Sequence, residues 1–183
     1  WTVSALILVQ MLLGVVTAHY GVEGDGFYGF PLSEWLPYSV TRTWHVQMGL
    51  FWIATAWLAA GLFIGPLVSE HEPKGQRLGV NILFVALLLV VVGSLAGEWM
   101  SIHNKMSDTV SFYLGHQGYG YVDLGRVWQI ALFAGLLLWL CLMVRVLLPA
   151  LRMPGESRQL VTLLAVATAA IALFYGAGLT WGQ

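Results

Sequence analysis

The sequence predicts an all-α, polytopic transmembrane bundle of about five helices. Three observations predict it. Hydrophobic residues make up 58% of the 183 residues and charged residues only 9%, where a soluble domain carries roughly 25% charged. The apolar residues gather in five runs of the length a helix needs to cross a bilayer, about 20 residues. The runs are also too long for membrane strands, and lipid offers no hydrogen-bond partner to an open strand, so helix is the only spanning form left.

The first span is placed near residues 2–19, opening directly in an apolar run after Trp1. It has no charged leader region or small-residue cleavage site, so it does not read as a signal peptide. The second is placed near 43–65, entered through Arg42-Thr43-Trp44-His45 and left at Pro66. The third is near 80–100, the fourth near 126–148 with Pro149 and Pro154 behind it, and the fifth near 158–179. Prolines are expected to end these helices because they lack an N–H donor and clash with the preceding turn. The chain is expected to be a partial catalytic membrane domain over 1–183, with the remaining helices of the same enzyme as its partners.

The connections alternate in length. Residues 66–79 and 149–157 are short, whereas 20–42 and 101–125 are long, glycine-rich and aromatic. Lys74, Arg77, Arg145, Arg152 and Arg158 lie on the short-loop side, and Arg42, Lys105 and Arg126 on the long-loop side. This bias puts the short loops in the cytoplasm and the long loops in the periplasm or outside the cell. Long loops of this composition suggest ordered caps rather than bare connectors. A net charge of -1 argues against a nucleic-acid partner. The single cysteine, Cys141, rules out an internal disulfide framework.

Four of the five histidines, His19, His45, His103 and His116, fall on the long-loop side. His45 stands at the lip of the second span. A neutral imidazole there is a candidate haem ligand, or a wetted residue at the level of the lipid headgroups. Arg42, three residues earlier, shares its helix face and suits a propionate. His19 and Glu23 are four residues apart, with Phe27 four further on. If the first helix continued through Gly21, the three would form one stripe. A ring to stack on and two proton-accepting groups could then bind a quinol; the alternative is an acidic loop just outside the span. Glu98 is either interfacial, the favoured reading, or part of a polar channel; His103 and Lys105 are expected as solvated loop residues, and the six methionines as packing. No zinc spacing, phosphate loop or nucleophile elbow is present.

These residues sit in longer motifs. His19-Tyr20-Gly21-Val22-Glu23-Gly24, Phe27-Tyr28-Gly29, Leu36-Pro37-Tyr38-Ser39 before Arg42-Thr43-Trp44-His45, and Phe51-Trp52-Ile53-Ala54-Thr55-Ala56-Trp57-Leu58 resemble the quinol-dependent nitric oxide reductases of the haem-copper oxidase superfamily. So do Gly115-His116-Gln117-Gly118-Tyr119 and Val122-Asp123-Leu124-Gly125-Arg126. The resemblance covers nearly the whole chain. It implies a bacterial inner-membrane enzyme that reduces two nitric oxide molecules to nitrous oxide and water with electrons from quinol. It further implies low-spin haem b on His45 (the metal ligand), with Arg42 beside its propionates and quinol at His19, Glu23 and Phe27. A high-spin haem and non-haem iron would complete the enzyme, on helices after this chain. Members often carry an acidic residue at the position of Gly120, and glycine here removes one polar contact near the haems. Three alternatives remain: another quinol-linked cytochrome b, an oxygen-reducing relative, and a non-enzymatic transporter or assembly subunit.

Overall fold

The computed structural model describes residues 1–118, 123–152 and 156–181. It is all-helical, with helices α1 (Thr2–Val22), α2 (Leu32–Trp35), α3 (Tyr38–Ser69), α4 (Gln76–Ile102), α5 (Asp108–Leu114), α6 (Arg126–Arg152) and α7 (Glu156–Trp181). Five of them, α1, α3, α4, α6 and α7, are long and apolar enough to cross a membrane. The five expected spans are all there. Gly120, Tyr119 and Tyr121 lie outside the described residues, as do Met153 and Pro154.

The boundaries need correction. α3 begins at Tyr38, five residues earlier than expected, so His45 is its eighth residue and stands two turns inside the helix. Pro66 and Pro149 do not end their helices; each lies inside one, three residues before its last residue. Each proline lacks the N–H that would bond the carbonyl four residues back, Leu62 for Pro66 and Arg145 for Pro149, so the helix runs on with one bond missing from the turn before it. Intramembrane helices tolerate such a gap, and the turn after Pro66 gains a bond from the Ser69 hydroxyl to the Gly65 carbonyl at 2.9 Å.

The chain divides into two compact units, 1–56 with 91–128 and 57–90 with 129–183. In the second unit the core is Leu83, Trp139, Met143, Leu147, Ala150 and Val161. Glycines on α3 let α6 in close: a Cβ at Gly61 would lie 2.7 Å from the Trp139 ring, and one at Gly65 would lie 3.2 Å from Val146. That four-residue glycine spacing is a recurrent device for tight packing in lipid, where no hydrophobic force drives helices together. The Trp139 indole N–H then donates to the Leu58 carbonyl at 2.9 Å.

The first unit holds α1, α2, α5, the start of α3 and the end of α4. On α1 only Leu6, Leu13 and Tyr20 are buried, a narrow seam repeating every seven residues. The other faces are apolar and exposed, among them Leu8, Met11, Leu12 and Val15, as befits a helix whose surroundings are themselves apolar. The long connections are ordered against α4. The Trp99 indole donates to the Trp35 carbonyl at 2.6 Å, and His103 Nε2 lies 3.2 Å from the Glu34 carbonyl. Further on, the Trp128 indole donates to the Leu114 carbonyl at 2.8 Å, and His116 and Leu124 form an isolated antiparallel bridge. Where α4 meets this second loop it carries Gly97, whose missing side chain makes room for the Leu114 carbonyl. The described parts of both long loops thus pack against α4.

Candidate functional site: a histidine pair on two helices of the first unit

His45 comes to the site on α3 and faces α1. Its Nδ1 lies 2.8 Å from the backbone carbonyl of Gln10. A carbonyl oxygen only accepts, so Nδ1 carries a proton, and in the neutral ring the lone pair is then on Nε2. The Gln10 side-chain amide lies 3.4 Å from Nε2, close enough to donate to that lone pair weakly; its 3.3 Å approach to Nδ1 brings two donors together and is no hydrogen bond. The reason the ring reaches α1's backbone is Gly14. A Cβ there would stand 2.6 Å from His45 Cε1 and 2.9 Å from Nδ1. Glycine at this helix position costs roughly 0.5–1 kcal/mol of helix propensity, and the space it leaves is occupied by the imidazole. An imidazole anchored through Nδ1–H to a carbonyl is oriented to offer Nε2 to a metal.

Arg42 is half-buried on the same helix, one turn before His45. At the same end of α3, two polar atoms are buried without a hydrogen-bond partner among the described residues, Thr43 Oγ1 and Trp44 Nε1. The Tyr20 and Tyr28 hydroxyls, from α1 and the loop after it, are in the same condition. Buried orphan donors are rare in native proteins and call for an account.

The second cluster lies at the end of α1. Glu23 caps this helix, its N–H bonded to the His19 carbonyl at 2.8 Å. Gly24 then turns the chain with φ +87°, a conformation that favours glycine. The helix passes Gly21 but ends at Val22, so the one-helix stripe does not form; the turn folds Phe27 back instead. The result still brings the three residues together. His19 Nδ1 lies 3.2 Å from Glu23 Oε2, and the His19 ring stacks on Phe27 with centroids 4.0 Å apart and planes 8° from parallel. Tyr28 meets both rings edge-on, at 6.0 Å from His19 and 5.0 Å from Phe27. The cluster is accessible, with the His19 and Glu23 side chains 36% and 42% exposed and Phe27 44%. Gly14 and His19 are five residues apart on α1, about 7.5 Å along its axis, so the two clusters are neighbours on one helix.

Two residues of α4 and the turn after it are less open to water than expected. Glu98 is fully buried, and its Oε1 accepts a hydrogen bond from the Gln47 amide on α3. Lys105 is exposed, as expected of a solvated loop residue, but His103 is half-buried. His103 stacks on Trp99 at 4.2 Å while its Nδ1 meets the Trp99 carbonyl at 2.7 Å, and the Lys105 ammonium lies 5.6 Å from the centre of the Trp99 ring. The sequence offered one signal for Glu98, its neighbour Gly97, which marks a face of α4 approached closely by backbone. His116, in the second cap, is held below its ordinary pKa by burial, against a backbone hydrogen bond with Gly118 that raises it.

Among the described residues no cluster of three or more histidine, cysteine or carboxylate groups could hold a metal ion on its own. The family model for cytochrome c and quinol oxidase polypeptide I matches residues 1–183. The chain belongs to that family. It is accordingly a multi-pass membrane protein and an oxidoreductase of the haem-copper oxidase type, which sets aside the transporter and assembly-subunit alternatives. Among curated proteins none matches the chain.

Proposed function

We propose that this member of the oxidase family is part of a quinol-oxidising nitric oxide reductase, holding low-spin haem b through His45. The residues fit that group. His45 presents Nε2 with its tautomer fixed by Gln10, Gly14 leaves room for the ring, and Arg42 stands one turn away for a propionate. The orphaned Trp44 indole at the same end of α3 is a further donor an anionic group could use. When bound, haem would supply a one-electron carrier, its potential set by axial ligands and burial.

The observation that carries the quinol half is the stacked cluster of His19, Glu23 and Phe27. The His19 ring covers one face of Phe27 and leaves the other for a quinol ring. The two hydroxyl protons of a quinol need two acceptors, which His19 and Glu23 supply. Their exposure at the end of α1 lets each proton leave to solvent. Oxidation of one quinol releases two electrons and two protons. Two nitric oxide molecules consume two electrons and two protons to give nitrous oxide and water, so one quinol serves one turnover. A high-spin haem and non-haem iron would bind nitric oxide in the proposed enzyme, which would lie in a bacterial inner membrane with the long loops in the periplasm.

Glu23→Ala tests this in the full-length enzyme, with nitric oxide consumption driven by quinol or by an artificial reductant that bypasses the cluster. Loss of one positioned proton acceptor is expected to cut quinol-driven turnover by about 10²-fold and leave the artificial donor nearly as fast. Equal loss with both donors removes the quinol assignment. Oxygen consumption in place of nitric oxide consumption by the unaltered enzyme would favour the oxygen-reducing relative.

A further inference from the structure

The second unit carries an open apolar cavity of about 200 Å³, lined by α3, α6 and α7. It takes no part in the chemistry above. Ala60, Gly61 and Gly65 of α3 leave the space, and Trp139 and Met143 of α6, both buried, form its inner wall. On its outer side Trp57, Ile64 and Leu160 are 47%, 47% and 58% exposed, so it opens at the surface of the unit as a groove. The Thr168 hydroxyl and the Trp139 indole in its lining already donate to the Leu164 and Leu58 carbonyls, and neither is free to hold water there. An apolar cavity of this size stays dry, and left empty it forfeits the dispersion contacts of its walls.

The place of the groove along its helices says what fills it. On α3 its lining runs from Trp57 to Val68, about 16 Å along the axis. One leaflet of a hydrocarbon core is about 15 Å deep. The groove stops at Val68 and Leu151, each one residue before its helix ends, and at Leu160 in the second turn of α7. It therefore runs one leaflet deep and ends where the short connections lie. Arg158 is exposed there, three residues before the lining residue Val161 and on the same helix face. Arg152 is exposed beside Leu151. Lys74, Arg77 and Arg145 belong to the same end of the helices, against the acids Glu70, Glu72 and Glu156, so basic charge prevails. Arg145 is already engaged, donating to the Lys74 carbonyl at 2.8 Å.

We propose that this groove binds one anionic phospholipid, with an acyl chain between α3 and α7 and the phosphate at Arg158. An acyl chain meets apolar walls at every methylene and asks for no hydrogen bond. A guanidinium pairs with phosphate by two parallel bonds, and basic residues at the surface ends of membrane helices are where anionic headgroups bind. A neighbouring helix, about 10 Å across with its side chains, is too wide to enter the space.

The test counts lipid on the full-length enzyme by native mass spectrometry. The protein is stripped of loosely held lipid in detergent, then given phosphatidylglycerol or phosphatidylcholine with the same acyl chains. The unaltered enzyme is expected to prefer phosphatidylglycerol. Ala60→Phe sets a ring into the groove from an exposed position and is expected to hold one phosphatidylglycerol fewer. Ala59→Phe, next to it but outside the lining, is expected to keep the full number. Arg158→Gln is expected to weaken phosphatidylglycerol binding about fivefold, the worth of one basic residue at an anionic lipid surface, and to leave phosphatidylcholine binding unchanged. Should Ala60→Phe not accumulate, Arg158→Gln, at an exposed position, decides alone. Equal lipid counts in Ala60→Phe and the unaltered enzyme overturn the proposal. So do equal affinities for the two headgroups, or no lipid held because another helix or a second copy covers the groove.

Discussion

Replacing Gly14 by alanine should destabilise the protein, although alanine is the better helix former. In a helix interior the change ordinarily gains about 0.5–1 kcal/mol. At Gly14 the new Cβ would stand 2.6 Å from His45 Cε1 and 2.9 Å from Nδ1, closer than atoms can pack. The ring is the free end of its side chain, so it yields by rotating away from α1. It then loses the 2.8 Å bond from Nδ1 to the Gln10 carbonyl, worth about 0.5–1.5 kcal/mol net. Overpacking adds about 1–3 kcal/mol. Set against the propensity gain, the net loss is about 1–3 kcal/mol. Gly21 on the same helix has no atom within 4 Å of its ideal Cβ, so Gly21→Ala provides the control and should be neutral or stabilising. Denaturant unfolding of the two variants in detergent gives the energies, and low-spin haem content per protein gives the functional consequence. Equal stability and equal haem content in the two variants would refute the claim that Gly14 exists to seat His45.

Other outcomes follow from the same geometry. Gly97→Ala sets a Cβ against the Leu114 carbonyl, a backbone atom that cannot rotate away; the cap over α4 should loosen, with a cost of about 1–3 kcal/mol and faster proteolysis between 103 and 118. His116 has a folded-state pKa below its ordinary 6.5 because of burial. Above 6.5 the folded and unfolded forms are both neutral and the contribution to stability is complete; below it the unfolded chain binds a proton the folded chain refuses, so stability falls with pH until the folded value is passed. His116→Asn should flatten that part of the melting-temperature profile, and an unchanged slope would remove the assignment. Phe27→Leu keeps the bulk but removes the stacked face beside His19, and should raise the KM for quinol more than it lowers kcat, measured as quinol-driven turnover.

The fold was legible because spans are written in composition. Five apolar runs could be nothing but helices, and α1, α3, α4, α6 and α7 stand where they were expected. Their ends were less legible, since Pro66 and Pro149 were weighed as breakers, whereas each helix runs three residues further at the loss of one backbone bond in the turn before the proline. The candidate sites divide in the same way. His19, Glu23 and Phe27 do come together, but not along one helix: α1 ends at Val22, and a positive-φ turn at Gly24 brings Phe27 back to His19. The partner of His45 was not legible at all. Gln10 and Gly14 are 35 and 31 residues away in sequence, and only a tertiary contact reveals that one glycine admits a ring to a carbonyl. Glu98 was misplaced for a related reason. Distance from a helix end suggested water, but α3 and the cap at Leu114 cover that end.

The central claim is that His45 is the axial ligand of a low-spin haem, and the optical and magnetic spectra of His45→Ala in the full-length enzyme test it most directly. The geometry at Gln10 and Gly14 predicts loss of the low-spin haem signal, with the helical content of the membrane domain retained. A bis-histidine low-spin signal unchanged in position and amplitude would contradict it.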